Sequence, residues 1–301
     1  MYMIRFIIIS VIFFTSFLSS ETKLIILGSG TPNPDPERYG SGYAVVVNDK
    51  AYIVDFGPGI VRRISAMSPT WGGEFPSMEL ENINTAFLTH IHSDHSGALA
   101  DLILTPWIMG RDEPLDLYGP EGLKAMSENI TEAYIDDINY RLYGSQPANE
   151  LGFTTNVTEI SDDGTIFKDN NIEVIAFKNA HGDFKNSFGF LFITNDKRIL
   201  FSGDTAVSNN LMKYGKNLDI LVHEVFSSET FLNKTKDWQI YHQAHHTSSI
   251  DLGIIADELQ PKKLVLSHIL FWGASEESLL KDIKKNFNGQ AVIAKDLMVI
   301  K

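Results

Sequence analysis

The stretch His90-Ile91-His92-Ser93-Asp94-His95 places three imidazoles and a carboxylate within six positions. The residues before it, Thr85-Ala86-Phe87-Leu88-Thr89, form an apolar β-prone run, and Ser96-Gly97 opens an amphipathic stretch from Ala98 to Met109. The pattern predicts a buried strand, a loop carrying the cluster, then a helix. In an extended segment residues two apart point the same way, so His90 and His92 can grip one cation. Asp94 and His95, at the turn into the helix, can face a second cation a few ångströms away. Imidazole and carboxylate donors of this kind suit Zn²⁺, and also Mn²⁺ or Fe²⁺.

Three further candidates each follow an apolar run. His181 sits in Asn179-Ala180-His181-Gly182-Asp183 after Ile172-Glu173-Val174-Ile175-Ala176-Phe177. Asp204 sits in Ser202-Gly203-Asp204-Thr205 after Arg198-Ile199-Leu200-Phe201, and His268 ends Lys263-Leu264-Val265-Leu266-Ser267-His268. Side chains at the ends of separate strands can converge at one sheet edge.

The block and the order of these motifs resemble the metallo-β-lactamase superfamily. The resemblance implies a first metal held by His90, His92 and His181, a second held by Asp94, His95 and His268, and Asp204 as the bridge. A bridging carboxylate in place of a thiolate suits a chain without cysteine. Two cations sharing Asp204 would lower the pKa of a water between them, offering hydroxide as nucleophile, and would neutralise the charge developing on the reacting centre. Asp94 could also accept that water's proton.

The segment Asp219 to Phe226, containing His223-Glu224, with His245-His246-Thr247-Ser248 downstream, is similar to the ribonuclease Z and arylsulfatase-type group. The resemblance gives His246 the role of proton donor to the leaving oxygen and Glu224 that of orienting it. His245 reads equally as part of the helix entry before Ser248, and His223 and His242 as structural residues.

The chain also departs from ribonuclease Z. Those enzymes carry a long arm between the third-motif His and the Gly-Asp-Thr motif, whereas here 22 residues separate His181 from Asp204. They suffice for one hairpin, 188–193 and 198–201. A formal charge of −13, from 25 Lys+Arg against 38 Asp+Glu, is opposite to what a phosphate-neutralising surface needs. Met1–Arg5, the apolar run Phe6–Leu18 and Ser19-Ser20 have the form of a secretory signal peptide. We therefore expect a signal peptide over 1–20 and one hydrolase domain over 21–301, in a periplasmic or secreted protein. Membrane attachment would follow only if the N-terminal segment stays uncleaved.

No Ser/Gly linker or charge block divides the chain, whose apolar content of 44% is ample for one core. Strands are expected at 23–29, 42–48, 51–55, 85–89, 116–118, 172–177, 188–193, 198–202, 219–225, 263–267 and 291–300. Helices are expected from Ile60, with Ile64 and Met67 inward, and at 98–109, 122–143, 206–214, 248–259 and 275–286, with a loop at 68–82 over the site. Metal motifs ending strands in both halves match an α+β fold, a four-layer αββα sandwich with weak internal duplication. Gly28-Ser29-Gly30-Thr31-Pro32 lacks the Lys and the helix of a phosphate loop, and the family analogy places it at the mouth of the metal site. Trp107, Phe271 and Trp272 follow metal motifs closely and are candidates for an apolar pocket wall.

The expected activity is metal-dependent hydrolysis of small phosphodiesters or sulfate esters, with a small-molecule ester as partner. Nucleic acid is not expected, and a homodimer is compatible with the reading. The alternatives are a lactone or β-lactam hydrolase, a ribonuclease Z-type tRNA 3′ endonuclease, or a non-catalytic metal-binding interaction protein.

Overall fold

Strands covered on both faces have no polar side, and several strands here are of that kind: all six residues of Gly42–Val47 and all seven of Ile220–Phe226 are buried. The computed structural model describes residues 21–146 and 148–301; the signal segment expected over 1–20 lies outside the described residues. The first half runs β1 (Lys23–Gly28), β2 (Gly42–Val47), β3 (Lys50–Val54), α1 (Ile60–Met67), β4 (Thr85–Phe87), α2 (Ser93–Ser96), α3 (Leu99–Ile108), β5 (Leu115–Pro120), α4 (Leu123–Ala133), α5 (Ile135–Tyr143) and β6 (Thr155–Ile160). The second half runs β7 (Gly164–Lys168), β8 (Glu173–Lys178), β9 (Phe188–Ile193), β10 (Arg198–Phe201), α6 (Asn209–Tyr214), β11 (Ile220–Phe226), α7 (Ser228–Phe231), α8 (Lys236–His245) and α9 (Ser249–Leu259). It ends with β12 (Lys263–Leu270), α10 (Glu276–Ile283), β13 (Gln290–Ile293) and β14 (Val299–Ile300).

Two mixed seven-stranded sheets result, ordered β14-β1-β2-β3-β4-β5-β6 and β7-β8-β9-β10-β11-β12-β13. Read in those directions, each has three antiparallel pairings followed by three parallel ones. The duplication suggested by the motifs is thus a repeat of strand pairing.

Alternation sorts the side chains into layers. On β2, Tyr43, Val45 and Val47 face Phe190, Phe192 and Phe201 of the other sheet. Ala44 and Val46 face the layer of Ile60, Ile64, Leu99 and Trp107. On the far side, Leu200, Leu221 and Leu264 pack on Leu252, Ile255 and Leu279. The αββα sandwich is the architecture expected.

Three local expectations need correction. The run 291–300 is not one strand: β13 pairs with β12, β14 pairs with β1, and the chain changes sheet between them through Leu297 at φ 63°. The helix expected over 122–143 breaks at Tyr134 into α4 and α5. Residues 68–82 form three short 3₁₀ turns whose Phe75, Met78 and Leu80 join the outer layer beside α1 and α3. Ser77, Glu81 and Asn82 line a hollow with Lys50 and Asn84, at the starts of β3 and β4, so this loop lies at the end of the sheet away from His90.

Candidate metal centre

The ends of β4, β8, β10 and β12 meet at one edge of the sandwich, and the chain just beyond or within them carries the candidate donors. His90, His92, His181 and Asp204 have donor atoms within 4.8 Å of one another, as do Asp94, His95 and His268. The two groups are the two sets expected from the sequence. Asp204 joins them: one carboxylate oxygen lies 3.9 Å from His90 Nε2, the other 3.4 Å from His95 Nε2 and 3.5 Å from His268 Nδ1. All seven residues are brought together.

The imidazoles are held in defined orientations. His95 Nδ1 donates to Asp55 Oδ2 at 2.8 Å, His181 Nδ1 donates to the His245 carbonyl at 2.9 Å, and His90 Nδ1 lies 3.0 Å from Thr89 Oγ1. Each of these bonds leaves Nε2 to face the centre. Asp55 is itself fixed by the amide and hydroxyl of Thr89. Asp55 and Thr89 were missed in the sequence, although Asp55 closes the apolar run of β3 just as Asp204 closes that of β10.

Backbone strain accompanies the site. His268 has φ 44° and stands where the β11–β12 register shifts, so the bulge re-aims its ring. Asp55 has φ 56°. Gly182, at φ 54°, leaves room for the His245 ring, which a Cβ there would meet at 2.1 Å.

Electrostatics divide the ligands into two kinds. Burial lowers the pKa of His90, His92 and His181, the last to about 4, so these rings stay neutral lone-pair donors. For His95 and His268 burial works downward too, but the carboxylates around them, Asp204 foremost, raise both above the ordinary value. Burial pushes Asp94 upward, yet His95 and His268 bring it down to about 2. His95 Nε2, Asp204 Oδ1 and His268 Nδ1 are buried without a hydrogen-bond partner. Five imidazoles and two carboxylates converging on such unsatisfied atoms fit divalent cations of the zinc type.

Beside the donors, His246 Nδ1 lies 3.3 Å from Glu224 Oε2, and the other Glu224 oxygen accepts the Thr247 amide at 2.7 Å. Burial is the leading influence on both, drawing His246 down to about 4 and Glu224 upward. The pair expected from the sequence is therefore in contact. Thr31–Pro36 and Tyr39 border a hollow with Ser93 and Asp94, so the turn after β1 does stand at the mouth.

The expected aromatic wall is not where the sequence placed it. Trp107 is buried in the outer layer and donates to the Asn149 carbonyl. Phe271 packs with the outer core and under Arg38, and Trp272 lies behind Phe226, between His242 and Lys234. The ring against the donors is Phe184, with its centroid 4.6 Å from that of His92. His223, also buried, donates to a main-chain carbonyl and takes no part in the centre.

Comparison with known proteins agrees with this geometry. The chain is 25% identical over 288 residues to ribonuclease Z of Mycobacterium bovis BCG, covering 91% of this chain and 96% of that one. It superposes on the metallo-β-lactamase fold protein YhfI of Bacillus subtilis with TM-score 0.72 at 20% identity, covering 93% of this chain and 100% of the other. Human tRNase Z, short form, gives 0.69 at 21% identity, with coverage of 93% and 98%. Relatives bearing the name ribonuclease Z weaken the expectation that excluded nucleic acid. Residues 22–268 match the family described as anti-Pycsar protein Apyc1, so the chain is a metal-dependent hydrolase of the metallo-β-lactamase fold and belongs to that family.

Proposed function

We propose that this protein hydrolyses phosphodiesters, and small ones in preference to tRNA precursors. The observation that carries the reading is Asp204 set between two three-residue donor groups, with the His246–Glu224 pair at its side. Two divalent cations held by those groups would supply Lewis acidity and make a water there easier to deprotonate. The chain's own residues do the rest. Asp94, held ionised and hydrogen-bonded to His268 at 2.9 Å, is the acceptor for the proton of the attacking water. Oxygen adds to phosphorus, the opposite P–O bond breaks, and the leaving oxygen takes a proton to become an alcohol. Burial raises the Glu224 carboxyl, so it donates to His246 Nδ1 and leaves the ring proton on Nε2; that proton passes to the leaving oxygen while Nδ1 takes the one from Glu224.

The ribonuclease Z relatives support a phosphodiester over a sulfate ester, lactone or β-lactam, since RNA is a polymer of phosphodiesters. They also support a second reading, cleavage of RNA itself. Substrate size separates the two. Between His181 and Asp204 the chain forms only the β9–β10 hairpin, turned at 194–197, and the formal charge is −13. A polyanion meeting that surface is repelled before its phosphates are neutralised. A non-catalytic role is disfavoured by the retention of all seven donors.

The test is turnover by metal-replete protein on nitrophenyl phosphodiester, nitrophenyl sulfate and a tRNA precursor with a 3′ trailer, at low and physiological salt. Hydrolysis of the small diester with the precursor left intact is expected. Efficient release of the trailer would move the assignment to ribonuclease Z activity, and turnover of the sulfate alone would contradict it.

A further inference from the structure

His246 has two neighbourhoods. Its Nδ1 lies 3.9 Å from Asp204 and 3.3 Å from Glu224. The residue also lines a hollow of about 450 Å³ with Val207, Phe226, Phe231, Leu232 and Gln243. The hollow is within the size range of small-ligand sites. Its walls are fixed: the Phe226 amide donates to the Thr247 carbonyl at 2.9 Å, the Phe226 and Phe231 rings stack at 4.9 Å, and Trp272 backs Phe226 at 5.7 Å.

We propose that this hollow is the leaving-group subsite and that it takes a flat or branched apolar alcohol. The inference rests on the phosphodiesterase reading and on His246 as proton donor, because the departing oxygen must be next to the group that protonates it. No Lys or Arg lines the hollow, and Asp251 stands in its lining, so the charged phosphoryl group is excluded and an uncharged moiety is favoured. Val207 is 57% and Leu232 74% exposed, an unfavourable state for two apolar side chains that a bound ring would relieve.

The probe is 4-methylumbelliferone, titrated by its own fluorescence into metal-loaded full-length protein, wild type against Val207→Asp and Leu232→Asp. Both positions are exposed enough that the fold is not at risk. Binding is expected to weaken about tenfold in at least one variant, as loss of roughly one ring face of apolar contact implies. The KM for methyl 4-methylumbelliferyl phosphate should rise in parallel, with kcat and metal content unchanged, and by more than for methyl 4-nitrophenyl phosphate. Equal binding by wild type and both variants, or no binding at all, would overturn the proposal. Because the titration needs no turnover, the two readings fail separately. Diester hydrolysis without umbelliferone binding removes the subsite and leaves the activity, whereas binding at Val207 and Leu232 with every diester untouched does the reverse.

Discussion

Tyr43 on β2 donates a hydrogen bond to Ser267 Oγ on β12 at 2.9 Å, joining the two sheets one residue before the metal-site bulge at His268. Burial pushes the phenol up to about 12, so the hydroxyl remains a donor at any physiological pH. The bond holds a segment whose φ of 44° is otherwise unfavourable.

Tyr43→Phe should therefore cost about 1 kcal/mol in stability, and more tellingly should loosen the group Asp94, His95 and His268. In a metal titration the ion at Asp94, His95 and His268 is expected to lose affinity while the one at His90, His92 and His181 is unaffected. Equal weakening of both would show that the bond only braces the sandwich.

His246→Ala should keep the metal content of the wild type and slow turnover by roughly 10²–10⁴, the usual worth of a positioned acid. Its ring lies 3.9 Å from Asp204, so the converse outcome, loss of an ion together with activity, would identify it as a ligand. Glu224→Gln should show a smaller loss of the same kind, read as a fall in kcat with KM preserved.

Arg111 is a stability residue. Pro106 inside α3 has no N–H for the Leu102 carbonyl, and the buried Arg111 guanidinium supplies it, along with the carbonyls of Ile83, Ile103 and Gly152. Arg111→Met would leave these carbonyls unsatisfied and should cost about 3 kcal/mol or more, measured by urea unfolding. Turnover per folded molecule should not change, because the residue is in the outer layer.

Asp196 gives a pH-dependent contribution. Its partial burial raises the pKa, but hydrogen bonds from Thr22 and Lys197 outweigh that and hold it at about 2. A carboxylate lowered from an unfolded value near 3.9 stabilises the fold fully above that value and loses its contribution as pH falls toward 2. The stability difference between wild type and Asp196→Asn should accordingly be constant above about pH 5 and shrink between about pH 4 and 2. Because the group is largely exposed, the effect is small. A difference that persists unchanged to pH 2 would contradict it.

How much was legible in the sequence follows from where the signal lies. The seven donors each stand at or just past an apolar run, and strands buried on both faces write such runs plainly. β6 and β7 are edge strands whose residues are mostly exposed or half-buried, so Thr155–Ile160 and Gly164–Lys168 have little apolar pattern to find. α8 mixes Trp238, Tyr241 and Ile240 outward with His242 inward, which blurs its period. The change of sheet between β13 and β14 has no Pro or Gly to mark it. Trp107, Phe271 and Trp272 were misplaced because proximity in sequence to a ligand says nothing about which face of the next element a ring occupies.

If Asp204 joins two cation sites, metal-replete protein carries both ions together. Elemental analysis should find about two transition-metal ions per chain in the wild type, with fewer in Asp204→Asn and in His95→Ala and with turnover lost in both. One ion or none in the wild type, or two retained in Asp204→Asn with activity intact, would contradict the account.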